Sequence, residues 1–177
     1  MNTRCRSLLL AFMGAMLALG PAMSASPSVP AELAALTWVE GTWVGHQGNV
    51  AAGGADFRMD CRWAPTNRAL LMDLTMIRGT DRQPYMTAIY YWHPGTKAIA
   101  MWQVLSTGTV NEGQIQSISE KGLIQELRAT DPDGRTRLLQ TQFERDGADA
   151  FQFTSSSRAS AAEAWTKNAS LRFERQR

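Results

Sequence analysis

Two periodicities divide the chain. Ahead of Gly41, the apolar residues Leu33, Leu36 and Val39 fall on one helical face, Pro30 suits a first helical turn and Glu32 complements the positive helix end. This predicts one short helix from Pro30 to Val39, stopped by Gly41. Beyond Gly41 the period becomes two, and it stays at two to the end of the chain. Its clearest instance is Phe57, Met59, Cys61 and Trp63 alternating with Arg58, Asp60 and Arg62.

Turn residues cut this pattern into about ten strands. The predicted strands are Thr42 to Gln47, Phe57 to Trp63, Ala69 to Ile77, Tyr85 to Trp92 and Ala98 to Leu105. They continue as Val110 to Ile118, Leu123 to Ala129, Arg137 to Phe143, Ala150 to Ser155 and Trp165 to Glu174. Pro94-Gly95, Lys121-Gly122, Asp131-Pro132-Asp133-Gly134 and Asp146-Gly147 are turn signals, and Gly79 to Pro84 and Ser156 to Glu163 are expected loops. Gly113, inside a strand, marks a bulge or a close backbone approach. Consecutive strands joined by short turns are antiparallel, and many twisted antiparallel strands curl or close to remove their edges. The expected fold is therefore all-β: a single up-and-down antiparallel β-barrel of about ten strands with a short N-terminal helix. A β-sandwich is the competing architecture.

Composition adds a compartment. Arg4 and Arg6 precede an apolar run from Leu8 to Leu19, followed by Gly20-Pro21 and the small residues Ala22 to Ala25. This has the order of a secretory signal peptide. The run is shorter than the roughly 20 residues that span a bilayer. The expected organisation is a signal peptide over 1–25 and one barrel domain over 26–177, periplasmic or secreted, with no stable membrane insertion after cleavage. The whole chain has 18 Lys and Arg against 16 Asp and Glu. Loss of Arg4 and Arg6 with the leader makes the mature domain neutral, which removes the general field that would attract nucleic acid. Of the two Cys, only Cys61 remains, so no intramolecular disulfide staples the domain. A lone Cys in an apolar alternation is expected to be a small buried residue.

The side chains offer little for catalysis. By strand parity, His46 points out if Trp43 points in, and His93 lies beside the Pro94-Gly95 turn. There is no His/Cys cluster with metal-ligand spacing, no Gly-x-Ser-x-Gly, no P-loop and no Gly-x-Gly-x-x-Gly. No metal, cofactor or catalytic residue is assigned. The aromatic residues Trp63, Tyr85, Tyr90, Tyr91, Trp92 and Trp102 crowd the second, fourth and fifth strands, where they either fill a core or line a cavity. Polar residues share strands with them. Either they form a solvated outer face, or some enter a polar lumen. In the second case Arg62 and Arg128 hold an anion, Tyr90 and Gln103 donate hydrogen bonds, and Glu112 joins them beside Trp63 and Trp102.

The stretch Leu36-Thr37-Trp38-Val39-Glu40-Gly41-Thr42-Trp43 places a short helix directly before Gly-x-Trp on the first strand. In this the chain resembles the calycin barrels of the lipocalin superfamily, closest to bacterial lipocalin-like and nitrobindin-like domains. The resemblance covers Leu33 to Arg175. It implies that Trp43 plugs one end of the barrel and that a basic residue of the last strand crosses it, Arg172 first and Arg175 second. Nitrobindin-like proteins hold haem through a His near the C-terminus, and this sequence has no His after His93, so haem is not carried over. The resemblance favours a non-catalytic binder of a small hydrophobic or amphipathic molecule. The alternatives are an enzyme using a buried carboxylate (Asp60, Asp73, Glu112 or Glu126), and an envelope interaction module with a filled barrel.

Overall fold

The computed structural model describes residues 28–47 and 54–177, so the leader expected over 1–25 lies outside the described residues. A 3₁₀ helix, Ala31–Val39, is followed by ten strands: β1 (Gly41–Gln47), β2 (Ala55–Trp63), β3 (Ala69–Arg78), β4 (Asp81–His93) and β5 (Ala98–Leu105), then β6 (Val110–Ser119), β7 (Gly122–Thr130), β8 (Thr136–Arg145), β9 (Ala150–Arg158) and β10 (Thr166–Arg175). Each strand pairs antiparallel with its chain neighbours, and β1 pairs with β10, so the sheet closes into an up-and-down barrel. It is not a sandwich.

The period-two pattern is the wall itself. On β2, Ala55, Phe57, Met59 and Cys61 are buried inside, while Asp56, Arg58, Asp60 and Arg62 face out. The outward charges are arranged in pairs. Asp60 and Asp73 sit directly opposite each other on β2 and β3, which alone is repulsive. Each has its own guanidinium, Arg58 at 2.8 Å and Arg62 at 2.6 Å, and a threonine hydroxyl donating to it, Thr42 at 2.6 Å and Thr87 at 2.8 Å. The Arg58 guanidinium, helped by Thr42, holds the Asp60 carboxyl below the usual carboxylate range.

Most strand ends fall within one or two residues of the sequence expectation, and three features depart from it more clearly. The helix is 3₁₀ because its buried residues Leu33, Leu36 and Val39 recur at intervals of three, which line up on a three-residue turn. Strand β4 starts at Asp81, so Asp81 to Pro84 is strand where a loop was expected. The register shifts between Leu74 and Thr75, which lets Pro84 sit opposite Thr75. Among the described residues, Asp81 to Pro84 pair with β3 alone, since β5 meets β4 only from Met86 onward. A proline is tolerated on such an unpaired edge. Strand β9 runs on to Arg158, past the expected end at Ser155.

The helix closes one end of the barrel. Trp43 is fully buried, and its indole N–H donates to the Val39 carbonyl at 2.8 Å. Trp38, Trp43 and Phe151 meet edge to face, with centroids 5.0 to 6.4 Å apart. The guanidinium over Trp43 belongs to Arg175, at 4.0 Å from the ring centroid. Arg172, the first choice from sequence, has the opposite parity: it pairs with His46, faces out, and binds Asp146 at 2.5 Å. Arg175 also donates to the carbonyls of Glu40 (2.6 Å) and Trp38 (2.9 Å). One side chain thus satisfies two orphan carbonyls at the helix end and covers the plug. Gly41 makes room for it. Its φ is +122°, and a Cβ there would lie 2.5 Å from Arg175 Nη1.

Lysine has no planar fork with which to bridge two carbonyls and stack on an indole. Arg175→Lys is therefore expected to lower stability by about 1–2 kcal/mol, and Arg172→Lys to change it little. Thermal or urea unfolding followed by tryptophan fluorescence checks this. Equal effects of the two substitutions would show that the plug does not depend on Arg175.

Candidate functional site: a neutral cavity with unpaired polar groups

The half of the barrel away from the helix is hollow. A cavity of about 550 Å³ runs inward from the open rim, where Gln47, Leu105, Arg137 and Asn168 lie at strand ends. This is within the size range of small-molecule sites. Phe57, Met59, Met72, Leu74, Met86 and Leu105, from β2 to β5, make an apolar wall. Phe143 and Phe173 line the cavity and pack on Phe151 of the plug, with centroids 5.4 and 5.1 Å away. Gly45 permits this, because a Cβ there would fall 2.8 Å from the Phe173 ring. The aromatic plug therefore also forms the cavity floor.

Within this apolar lining, Gln103, Asn111, Gln125 and Thr141 are buried and face the cavity. They lie on β5, β6, β7 and β8, and Gln103 is registered with Asn111 and Gln125 with Thr141. The Asn111 amide N–H donates to Gln103 Oε1 at 3.0 Å, and Gln103 Nε2 approaches Met101 Sδ at 3.4 Å. Asn111 Oδ1, Gln125 Oε1 and Thr141 Oγ1 are left buried without hydrogen-bond partners. Such orphans are uncommon in native interiors, and each costs about 1–3 kcal/mol. The Tyr90 hydroxyl, behind them in the core, has no partner in hydrogen-bonding geometry either. Burial pushes the Tyr90 phenol well up, a shift that the facing Gln125 and Gln103 amides oppose.

No carboxylate lines the cavity among the described residues, and its one charged lining residue is Arg137 at the rim. Arg137 Nη1 is held by Asp131 at 2.5 Å, and Asp131 also takes the Thr109 hydroxyl at 2.9 Å. Arg137, with Thr109, holds the Asp131 carboxyl below its usual range, so the pair stays ionised and internally balanced. The interior presents no net charge.

The expected lumen residues divide by parity. Gln103 lines the cavity. Arg62, Trp102, Glu112 and Arg128 are on the outer wall, where Trp102 pairs with Glu112 and Glu112 with Arg128. Arg62 is committed to Asp73, and Trp102 is 41% exposed. Each stands one residue from a buried neighbour, so they are corrected from lumen to surface: Trp102 beside Gln103, Glu112 beside Asn111 and Arg128 beside Leu127. Tyr90 is core, behind the cavity rather than lining it. Trp63 is half-buried against the core near the helix end and does not reach the cavity. Asn111, Gln125 and Thr141 were missed. Their signal is that they share strand parity with Ile115, Leu127 and Phe143, so a polar residue stands on the apolar face.

Neither His enters the cavity: His46 is exposed and contacts Asp56 at 2.7 Å, and His93 Nδ1 accepts from the Thr96 amide at 3.1 Å. Among the described residues no group of three or more His, Cys, Asp or Glu is placed to hold a metal ion. Cys61 is buried in the core, and desolvation, with the Asp60 and Asp73 charges, pushes its thiol well up.

No family model matches the sequence, and no curated protein matches it. Among solved structures, the chain is similar to the crystal structure of Rv2717c from M. tuberculosis, with 14% sequence identity and a TM-score of 0.58. The match covers 85% of this chain and 100% of that one. At this identity the likeness shows a shared barrel fold.

Two outcomes follow. Gln125→Met and Thr141→Val exchange an orphan for an apolar group of similar shape. Each is expected to raise stability by about 1 kcal/mol, a few degrees in melting temperature; a fall would mean that these atoms have partners in solution. The thiolate is the reactive form, so Cys61 is expected to resist a disulfide reagent at pH 8 in the folded protein and to react in denaturant. Rapid labelling of the folded protein would contradict its burial.

Proposed function

We propose that this protein is a non-catalytic, periplasmic or secreted binder of a small hydrophobic or amphipathic molecule, carried in the barrel cavity. The observation that supports it most is the cavity itself: about 550 Å³, apolar over much of its wall, with buried polar atoms that have no hydrogen-bond partner among the described residues. A protein gains nothing in stability from such a void, so a ligand that fills it and meets those atoms is the economical explanation. The helix leading into Gly-x-Trp, with Arg175 across Trp43, supports placing the domain among calycin-like, lipocalin-like barrels.

The enzyme alternative loses its residues. Asp60 and Asp73 are outward and ion-paired, Glu112 is exposed, and Glu126 accepts a hydrogen bond from Gln140 on the surface. None is desolvated beside a cavity, as a carboxylate tuned for proton transfer needs to be. The interaction module required a filled barrel, which a cavity of this size argues against.

Native mass spectrometry of the protein purified gently from an exporting host tests the proposal. The expected result is a reproducible mass excess that disappears on denaturation. A bare polypeptide that also fails to take up the neutral apolar dye N-phenyl-1-naphthylamine would overturn it.

A further inference from the structure

The chemistry of the unpaired atoms narrows the ligand. We infer that the cavity selects a neutral amphipathic molecule whose head group donates hydrogen bonds, a hydroxyl or an amide N–H, and that Asn111, Gln125 and Thr141 receive that head. This rests on the cavity reading above and deepens it.

Three observations lead there. First, two of the three orphans are amide carbonyl oxygens, Asn111 Oδ1 and Gln125 Oε1, which can only accept. Thr141 Oγ1 can accept or donate, so it adjusts to either need of a hydroxyl head. The orientation of Asn111 is set by its own N–H on Gln103, whose N–H in turn faces the Met101 sulfur. Second, Asn111, Gln125 and Thr141 are 4%, 1% and 5% exposed, so their polar groups are set deep in the cavity wall rather than at the rim. Third, the interior holds no free charge. Arg137 at the rim is occupied by Asp131, and no carboxylate lines the cavity among the described residues.

These features exclude as well as select. A fatty carboxylate placed against two carbonyl oxygens meets like partial charge, and the one cation lining the cavity, Arg137 at the rim, is already paired with Asp131. An ether or ester head of the same length can accept from the Thr141 hydroxyl but leaves both amide oxygens without a donor. An alcohol or amide supplies the missing donor and carries no charge to bury. Sites that satisfy a hydroxyl discriminate strongly against the analogue lacking it, because their own polar groups are then left unpaired. The apolar wall of Phe57, Met59, Met72 and Leu74 receives the hydrocarbon portion, and flexible Met side chains tolerate variation in its shape.

The test is competition against bound N-phenyl-1-naphthylamine at pH 7.4 by three probes built on a ten-carbon chain: 1-decanol, 1-methoxydecane and decanoate. Decanol is expected to displace the dye with an affinity at least tenfold higher than the ether or the carboxylate. In Gln125→Met, which preserves volume, the ratio of decanol to ether affinity, each referred to the dye affinity measured for that variant, is expected to fall several-fold. Decanol and ether binding alike, decanoate binding most tightly, decanol failing to displace a bound dye, or an unchanged preference in Gln125→Met would each overturn the inference and leave the cavity reading standing. Failure of the wild-type protein to bind the dye or any probe, with no co-purifying small molecule, would overturn the cavity reading itself.

Discussion

The barrel depends on one contact made at the far end of the chain. Nine of its strand pairings join consecutive strands through short connections. The tenth, β1 to β10, joins the two ends of the domain. Loop closure of that span is entropically opposed, so the final pairing needs interactions of its own. Arg175 supplies them at the seam. From the last strand it lies over Trp43 of the first, and it bonds Trp38 and Glu40 just before that strand begins. The plug, the seam and the helix docking share one guanidinium. Gly41, which no larger residue can replace without meeting Nη1, is part of the same device.

Closure at one end permits openness at the other. Trp38, Trp43, Phe143, Phe151 and Phe173 concentrate the large side chains toward the plug. The rest of the interior, where Phe57, Tyr85 and Phe153 stand among Met, Leu and small polar residues, is not filled. The orphan amides and hydroxyl are the less stable solution for folding. Stability and binding pull these positions in opposite directions, a common relation at sites built for a ligand.

The alternation made the fold legible, since period two, turn residues and the absence of long helical segments leave few architectures. It also placed His46 outside and Cys61 inside. The cavity was less legible because sequence parity tells two faces apart without naming the lumen. Big aromatic and charged residues drew attention to Arg62, Trp102, Glu112 and Arg128, yet the apolar run on each strand, not the most chemical side chain, identifies the inside. By that rule Gln125, between Leu123 and Leu127 in parity, belongs to the lumen. The choice between Arg172 and Arg175 is likewise a matter of parity, because Arg175 stands opposite Trp43 in the register and Arg172 opposite His46. The extension of β4 to Asp81 was hidden by Pro84, which reads as a loop residue unless the strand has a side with no neighbour.

That extension bears on how the protein behaves in a crowd of its own copies. A closed barrel hides its backbone donors and acceptors from other chains, but Asp81 to Pro84 stand beyond the last pairing with β5 and present one side to solvent. Such a side is a template for another strand, met more often as the protein's concentration rises. The four residues exposed there are Asp81, Arg82, Gln83 and Pro84. Two carry charge and one has no amide hydrogen to offer, so an incoming strand finds a broken ladder and must desolvate ions to use it. The composition that made this segment look like a loop also keeps its open flank from recruiting another copy.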